Sequence, residues 1–272
     1  MKRNLLLLAA MILVLSSSSA LAQTVKTPFN GTDLSGWKTN GGQENVWKIG
    51  RLVPGAPTAN SFELMPLPDG TTPRREGAPR REGTPRREGT SSMGGTAGPR
   101  FAPVLANMAD GNWNRSNPRK GVDLYTEEKF GDCTVKMEFL IPKGSNSGIY
   151  LMGQYEVQIA DSFAKPSDRL GQGDMGAIYS AAAPSRNACG VPGTWQTIEI
   201  EFAAPKFDAD GKKTANGVFK KITLNGVVVQ ENVEVQGPTG GELTNKEAPT
   251  GPLMLQGNHG PVAFRNIEVI VP

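Results

Sequence analysis

The chain is poor in the residues on which many catalytic centres depend. It has one histidine, His259, and two cysteines among its 272 residues. A single imidazole excludes a zinc site built from several histidines and any reaction scheme that needs two imidazoles. The chain has no G-x-S-x-G nucleophile elbow and no P-loop, and no G-x-G-x-x-G run follows a predicted strand. The sequence therefore gives no support to a serine hydrolase of the α/β type or to a nucleotide-binding enzyme.

Positive charge is concentrated in one segment. The formal net charge is +3 at pH 7, and residues 72–89 alone contribute six arginines against three glutamates. Because the rest of the chain is close to neutral, the basic character does not indicate nucleic-acid binding.

The basic segment is a hexapeptide repeated three times, as TPRREG, APRREG and TPRREG over residues 72–89. Each unit contains a proline and a glycine and has no apolar face, which predicts a flexible loop within a low-complexity insertion of about residues 66–98. One interpretation is a basic arm that binds anionic glycans or membrane. The other is a duplicated insertion in a tolerant surface loop, which near-identical copies favour because they imply little constraint on individual side chains.

The N-terminus has the pattern of a cleavable signal peptide. Lys2 and Arg3 precede an apolar run at residues 5–15, and Ala20-Leu21-Ala22 provides a small-x-small cleavage site. The apolar run is shorter than the ~20 residues that span a bilayer. We expect cleavage after Ala22 and export to the periplasm or the medium, with no stable membrane insertion. Residues 23–272 would then form a single domain.

Strand patterns dominate the remainder, and no long window outside the signal peptide has a helical period. Two turn signals separate neighbouring strands, at Gly153-Gln154 and at Asn225-Gly226. This pattern predicts an all-β fold of two antiparallel sheets. Export permits a disulfide, so Cys133 and Cys189 are either bridged or buried as free thiols. The predicted strands cover residues 133–141, 148–152, 155–159, 176–179, 195–202, 219–224, 227–230, 253–256 and 262–271.

Polar side chains alternate with apolar ones along residues 155–161. Glu156 and Gln158 point away from the face that carries Tyr155, Val157 and Ile159. In a two-sheet sandwich the apolar face joins the core. The polar face is then either plain solvated surface or the floor of a groove whose carboxylates, amides and hydroxyls suit sugar hydroxyls.

Several other residues could extend such a groove. A polar turn precedes this strand and an acidic one follows it, His259 lies in a glycine-rich loop, and one tryptophan lies among asparagines in a predicted loop, where its ring could stack on a sugar. A lone histidine in a loop is more often a structural hydrogen-bonding residue than a catalyst, but its pKa suits proton transfer near neutrality. The candidates for substrate binding are Asn146, Ser147, Gln158, Asp161, Gln256 and Trp113.

The motif FNGTDLSGW at residues 29–37 resembles the opening signature of the 3-keto-disaccharide hydrolase domain family. The resemblance continues, in order, through seven further blocks and is interrupted at about residues 54–121. Phe29 and Trp37 are expected to anchor the first strand in the core, with turns at Asn30-Gly31 and Ser35-Gly36. The further blocks are VWKIGRLV, FGDCTVKMEFLIPKGSNSGIYL, YEVQIADS, GAIY, PGTWQTIEIEF, LNGVVV and LQGNHGPVAFRNIEV.

The resemblance implies a concanavalin-like, laminin-G-like jelly roll that acts on glycosides carrying a ketone at C3. Such a ketone acidifies the C2 hydrogen, so a base can start a β-elimination that water addition completes as a net hydrolysis. Our hypothesis assigns catalytic roles to three residues within the matching blocks. Glu156 is a ligand or base, His259 is an acid or base, and Arg265 is a partner of the enolate oxygen or of Glu156.

Three functions from different classes remain at this stage. The first is a hydrolase or lyase on 3-keto-glycosides or 3-keto-disaccharides, the second a non-catalytic carbohydrate-binding module, and the third an adhesion domain tethered by the basic repeat. The expected partner is an oligosaccharide or glycoside. The sequence indicates no firm cofactor, and a divalent cation such as calcium stays open although no EF-hand-like spacing is present.

Overall fold

The computed structural model describes residues 22–40, 46–53, 61–67, 102–108 and 121–272. The predicted signal peptide up to residue 21, residues 68–98 of the predicted insertion and Trp113 lie outside these ranges. Within the described ranges, no helix is long and apolar enough to cross a bilayer.

The described chain is almost entirely strand and turn, apart from one short 3-10 helix at Ser167–Arg169. Its strands are β1 (Thr24–Lys26), β2 (Trp37–Asn40), β3 (Trp47–Leu52), β4 (Leu64–Met65), β5 (Val104–Asn107), β6 (Asp123–Phe130), β7 (Cys133–Leu140), β8 (Asn146–Leu151), β9 (Tyr155–Ala160), β10 (Gln196–Ala203), β11 (Lys206–Phe207), β12 (Lys213–Ala215), β13 (Gly217–Leu224), β14 (Val227–Val235), β15 (Gly251–Leu255) and β16 (Val262–Val271).

These strands form two main sheets in which every pair is antiparallel. The larger sheet has nine strands in the order β14-β13-β10-β7-β16-β5-β3-β4, with β1 on β16. The smaller sheet has five, in the order β2-β6-β15-β8-β9, and β11 and β12 form a separate ribbon. The chain passes back and forth between the sheets, which confirms the jelly-roll β-sandwich.

The core between the sheets follows from alternation along each strand. On β7, Cys133, Val135, Met137 and Phe139 are buried, whereas the residues between them are partly exposed. Aromatic contacts cross the core: the rings of Tyr155 and Phe202 have centroids 5.5 Å apart, and Phe202 lies 5.0 Å from Phe219. Burial of these large side chains in tilted pairs is a major favourable contribution to the fold.

The Asn225-Gly226 turn prediction is confirmed. Both residues have positive φ, 50° and 77°, and they join β13 directly to β14. This left-handed pair matches the twist of a hairpin and suits asparagine followed by glycine. The expected strand at residues 176–179 is wrong, because Ile178 makes only isolated bridges, to Val157 and Ala182.

The opening motif forms a turn that leads into the smaller sheet. Trp37 is buried and begins β2, and Phe29 packs against the core. The side chain of Asn30 accepts hydrogen bonds from the backbone N–H groups of Thr32 and Asp33. Trp37 therefore anchors the second strand, not the first, since β1 precedes the motif and pairs with β16.

The two cysteines are not bridged. Cys133 is buried on β7, and Cys189 is a half-buried free thiol in the segment before β10. Burial raises the pKa of the Cys133 thiol to about 12 and that of Cys189 to about 11. Both thiols are therefore protonated and unreactive near neutral pH.

Candidate active site

A polar pocket opens over the smaller sheet, at the strands β8 and β9 and the end of β15. Its volume is about 250 Å³. The lining comes from two strands and three loop segments, and none of its side chains is aliphatic. The lining residues are Asn146, Tyr150, Glu156, Gln158, Tyr179, Gly240, Gly241, Gln256, Asn258 and His259.

Strand alternation explains why the floor of the pocket is polar. On β9, Tyr155, Val157 and Ile159 enter the core, so Glu156 and Gln158 point to the opposite face. Antiparallel pairing places Glu156 directly opposite Tyr150 of β8. The polar face of β9 is therefore a pocket floor and not plain solvated surface.

Glu156 is the central carboxyl of this floor and is only 2% exposed. Its carboxyl group packs against Gly148 of β8, and a Cβ atom on residue 148 would collide with that carboxyl group. Burial raises the pKa of Glu156 to about 8, against the lowering effect of the Tyr150 hydroxyl and with a further increase from the Asp123 carboxylate. Glu156 is therefore mostly protonated at pH 7.

Tyr150 links the floor to the pocket wall. Its hydroxyl donates to the backbone carbonyl of Gly240 (3.2 Å) and accepts a hydrogen bond from Nε2 of Gln256 (3.1 Å). Burial, together with the neighbouring Glu156 carboxyl, raises the pKa of the Tyr150 phenol. Tyr150 therefore serves as a fixed neutral hydrogen-bonding group, not as a base.

Three acceptor oxygens of the floor are buried without a hydrogen-bond partner among the described residues. They are Oε1 of Glu156, Oε1 of Gln158 and Oε1 of Gln256. The Gln158 amide is oriented by Nε2, which donates to Oδ1 of Asn146 at 2.5 Å. Buried acceptors are normally paired, so these three oxygens are exceptions within the described part of the chain.

His259 lies at the edge of the pocket in the loop between β15 and β16. Its Nδ1 is hydrogen bonded to Oδ1 of Asn258. In the neutral ring this contact places the proton on Nδ1 and the basic lone pair on Nε2. Asn258 thus holds the neutral imidazole in one tautomer.

The His259 loop is held in place at both ends by buried side chains. Nδ2 of Asn107 donates to the carbonyls of Gly257 (2.6 Å) and Gly260 (3.0 Å). Oδ1 of Asp123 accepts from the Gly257 N–H at 2.9 Å. Such multiple anchoring keeps the imidazole in a defined position without requiring a regular element.

The loop between β14 and β15 forms the opposite wall, through Gly240 and Gly241. Oγ1 of Thr239 accepts from the backbone N–H of Glu156 (2.9 Å), so this wall is tied to the strand that carries the central carboxyl. Nε2 of Gln154 donates to the carbonyls of Thr244 (2.9 Å) and Lys246 (2.8 Å).

A partly buried ionic contact also holds this loop. The Tyr155 hydroxyl donates to Oε1 of Glu247 (2.5 Å), whose other oxygen pairs with Nζ of Lys213 at 2.7 Å. The wall is therefore fixed to β9 and to β12.

A family model for the 3-keto-α-glucoside 1,2-lyase-like domain matches residues 24–270. The chain belongs to this family. The match extends over the whole sandwich, on both sides of the repeat-bearing segment, and it confirms the family resemblance found in the sequence. The domain is thus one of a carbohydrate-active family.

Solved structures similar to the lyase-like domain include proteins with a provisional glycosyl hydrolase assignment from Parabacteroides distasonis. One is 32% identical, with 61% of this chain and 70% of that chain covered and a TM-score of 0.49. Another is 16% identical over 90% of this chain and 92% of that chain, with a TM-score of 0.48. A carbohydrate-binding module from Bacillus subtilis is 12% identical over 61% and 86%, with a TM-score of 0.34. No curated protein matches the chain.

Five of the residues singled out from the sequence meet in the pocket of the lyase-like domain. Asn146, Glu156, Gln158, Gln256 and His259 all line it. They come from two strands and from one loop that lies about a hundred residues further along the chain.

Arg265 is not part of this group. It lies on β16 of the larger sheet, opposite Glu138, and Nε and Nη2 both donate to Oε2 of that carboxylate (2.9 and 2.6 Å). Its guanidinium also lies 4.0 Å from the ring centroid of Trp195. The expectation that Arg265 pairs with Glu156 is therefore wrong. Arg265 and its partner Glu138 both lie on the larger sheet, whereas Glu156 lies on the smaller one.

Ser147 and Asp161 also lie outside the pocket lining. Ser147 shares the core-facing side of β8 with Ile149 and Leu151, and its hydroxyl donates to the Gln256 carbonyl at 2.8 Å. Oδ2 of Asp161 accepts from the Gly144 N–H at 2.8 Å. Both side chains support the backbone near the pocket, which corrects the expectation that they bind sugar hydroxyls. The remaining ligand candidate, Trp113, lies outside the described residues.

Sequence reasoning missed Tyr150, Tyr179 and the glycine pair of the wall. Period-two alternation would have found Tyr150, because it shares a strand face with Asn146 and Gly148. Tyr179, which is 40% exposed, is placed by a backbone hydrogen bond from its N–H to the Glu156 carbonyl (3.1 Å). No local pattern indicates that contact.

The described residues contain no group of three or more His, Cys, Asp or Glu side chains arranged to hold a metal ion. The cation that the sequence left open thus has no assigned ligand set in this part of the chain.

Proposed function

We propose that the domain cleaves 3-keto-glycosides, by removing the C2 proton, eliminating the substituent at C1 and then adding water. The observation that carries the proposal is the pairing in one pocket of a buried, protonated carboxyl, Glu156, with a tethered imidazole, His259. A proton donor and a proton acceptor within one pocket are what an acid and a base in one reaction require.

His259 is the base in this mechanism. Nδ1 is bound to Asn258, so the lone pair on Nε2 accepts the C2 proton. The electrons of the broken C–H bond move to the C3 oxygen and form an enolate. The amide N–H groups of Asn146, which also lines the pocket, are suitable donors to that oxygen.

Glu156 is the acid. When the enolate re-forms the C3 carbonyl, the electrons expel the oxygen at C1, and Glu156 gives its proton to this leaving group. The resulting carboxylate then removes a proton from the water that adds at C1, and His259 returns its proton to C2. The net result is hydrolysis, with both residues restored. No oxocarbenium ion forms, so the carboxylate pair of ordinary glycosidases is not needed.

Purified protein incubated with a 3-keto-disaccharide, with the parent disaccharide as control, tests the proposal by mass spectrometry of the products. We expect cleavage of the keto substrate only. Glu156→Gln and His259→Ala should each lower kcat/KM by about 10²–10⁴, the usual contribution of acid–base groups. Glu231→Gln, an exposed carboxyl on β14, is the matched control and should retain activity.

Wild-type rates in both pocket variants would remove the assignment of acid and base. Binding of the keto sugar without turnover would instead support a carbohydrate-binding module, the alternative favoured by the unpartnered acceptors of the floor. A parallel incubation with a chelator tests the divalent cation that the sequence left open.

A further inference from the structure

Tyr179 presents an exposed aromatic ring to the pocket, and neither the proposed acid nor the proposed base uses it. Of the two tyrosines in the lining, Tyr150 is 1% exposed and Tyr179 is 40% exposed. A single exposed aromatic side chain is ordinary on a protein surface. The significance of Tyr179 therefore comes from its position relative to the acid and the base.

The backbone places Tyr179 directly beside Glu156. Residues 176–179 run antiparallel to β9: Ile178 bridges Val157, and the N–H of Tyr179 donates to the Glu156 carbonyl at 3.1 Å. In this register Tyr179 lies opposite Glu156. Opposed residues of an antiparallel pair project from the same face, with Cβ atoms about 4.5–5.5 Å apart. Tyr179 therefore stands next to the central carboxyl on the pocket side of the sheet.

Tyr179 and His259 lie on opposite sides of Glu156. His259 follows β15, and β8 separates β15 from β9 in the smaller sheet. The His259 loop also packs on the start of β8, since a Cβ atom on Gly260 would lie 3.0 Å from the backbone nitrogen of Asn146. Tyr179 lies beyond β9, on the outer side of that strand. Glu156 is thus between the imidazole and the tyrosine ring.

We infer that Tyr179 is the platform on which the leaving group of the substrate packs, which rests on the function proposed above. In that mechanism His259 takes the proton from C2, and Glu156 protonates the oxygen at C1. The keto ring therefore lies between these two residues. The substituent on the C1 oxygen continues past Glu156, away from His259, and this direction leads to Tyr179.

The tyrosine ring selects the kind of leaving group. An aromatic face packs well on another ring, either an aryl group or the C–H face of a sugar, whereas a methyl group is too small to cover it. The pocket wall keeps the ring in place, because a Cβ atom on Gly240 would lie 3.5 Å from Cε1 of Tyr179. The site therefore prefers 3-keto-glycosides whose leaving group is a ring, such as the second sugar of a disaccharide.

The test measures kcat/KM for methyl 3-keto-glucoside, cyclohexylmethyl 3-keto-glucoside and a 3-keto-disaccharide. Variants are compared with wild type on each substrate separately, so differences in leaving ability cancel. Tyr179→Ala should lose about tenfold on the two ring substrates, the order of one aromatic contact, and stay within about twofold on the methyl glycoside. Tyr179→Phe keeps the ring face and should stay within about threefold on all three. Phe163→Ala, an exposed aromatic outside the pocket lining, is the matched control.

An equal loss on all three substrates in Tyr179→Ala would overturn the inference, because the ring would then act on the keto sugar or on the fold. Unchanged rates on the ring substrates would overturn it as well. A loss in Tyr179→Phe as large as in Tyr179→Ala would assign the effect to the hydroxyl and refute the platform. Tyr179→Leu, which lacks the flat ring but stays apolar, answers the same question where the alanine variant fails to fold.

A binding measurement separates this inference from the proposed chemistry. Calorimetry with Glu156→Gln protein, with and without Tyr179→Ala, reports the affinity for the methyl and cyclohexylmethyl sugars without turnover. A loss of affinity confined to the cyclohexylmethyl sugar, with no cleavage by wild-type protein, would support the platform and refute the lyase chemistry. Cleavage by wild-type protein with no dependence on the leaving group in Tyr179→Ala would support the chemistry and refute the platform.

Discussion

Replacing Glu156 by glutamine removes one ionisable proton while nearly preserving the side-chain shape, and it should change how the stability of the fold depends on pH. The carboxyl is 2% exposed, and burial raises its pKa to about 8 from its ordinary value of 4.5. Below pH 4.5 the group is protonated in both the folded and the unfolded chain. In this range the folded chain bears no cost for keeping Glu156 neutral, so the contribution of the neutral carboxyl to the free energy of unfolding is fully present.

As the pH rises from 4.5 towards 8, the unfolded chain ionises Glu156 and the folded chain does not. The free energy of unfolding of the wild type should therefore fall by about 1.4 kcal/mol per pH unit relative to Glu156→Gln. Over the whole window the loss reaches about 5 kcal/mol, and it levels off above the folded pKa. For a domain of this size, 1 kcal/mol corresponds to roughly 2–4 °C in Tm, so across the window the variant should gain roughly 10–20 °C on the wild type.

Calorimetry of both proteins between pH 4.5 and 9 measures this difference, with Glu231→Gln as the exposed control on β14. The control should follow the wild-type curve. A gap between the wild type and Glu156→Gln that stays constant across the window would refute the buried, protonated carboxyl. It would also remove the basis for Glu156 as the acid, whose loss above pH 8 should appear as an alkaline limb in the wild-type kcat/KM profile.

Three further predictions test other parts of the structure. Gly148→Ala places a methyl group against the Glu156 carboxyl. Because displacement of a catalytic group by even a small distance lowers the rate, kcat/KM of the folded variant should fall at least about tenfold, and unchanged kinetics would contradict the close contact between Gly148 and Glu156. Lys213→Met leaves Glu247 without its cation and should lower the free energy of unfolding in urea by about 1–3 kcal/mol, whereas an unchanged urea midpoint would show that the ion pair does not hold the wall. Under denaturing, non-reducing conditions, Cys133 and Cys189 should together consume two equivalents of a thiol reagent per chain. Consumption of no reagent would show that they form a disulfide.

Much of the fold could be predicted from local sequence. The alternation on β7 and the Asn225-Gly226 turn depend on neighbours one or two residues away, so the sequence alone predicted them. The same alternation placed Glu156 and Gln158 on one face of β9. Strand period is a property of the backbone itself, and it does not depend on the rest of the molecule.

The composition of the site depended on contacts that no local pattern encodes. Arg265 and Glu156 both belong to blocks typical of the family, but strand order assigns them to different sheets, and Arg265 pairs with Glu138 instead. Ser147 could have been rejected earlier, since neighbouring residues on a strand face opposite ways, and Asn146 already occupied the pocket side.

What the sequence determined by itself was the class of fold, the family and the polar face of one strand, because each depends on short-range periodicity or on the order of motifs. Only the tertiary structure decided that this face is a pocket floor, since its walls are loops around Gly240 and His259 from distant parts of the chain. Burial by those walls raises the pKa of Glu156. The desolvation that turns an ordinary carboxyl into a candidate acid is a property of the assembled site, and no residue carries it alone.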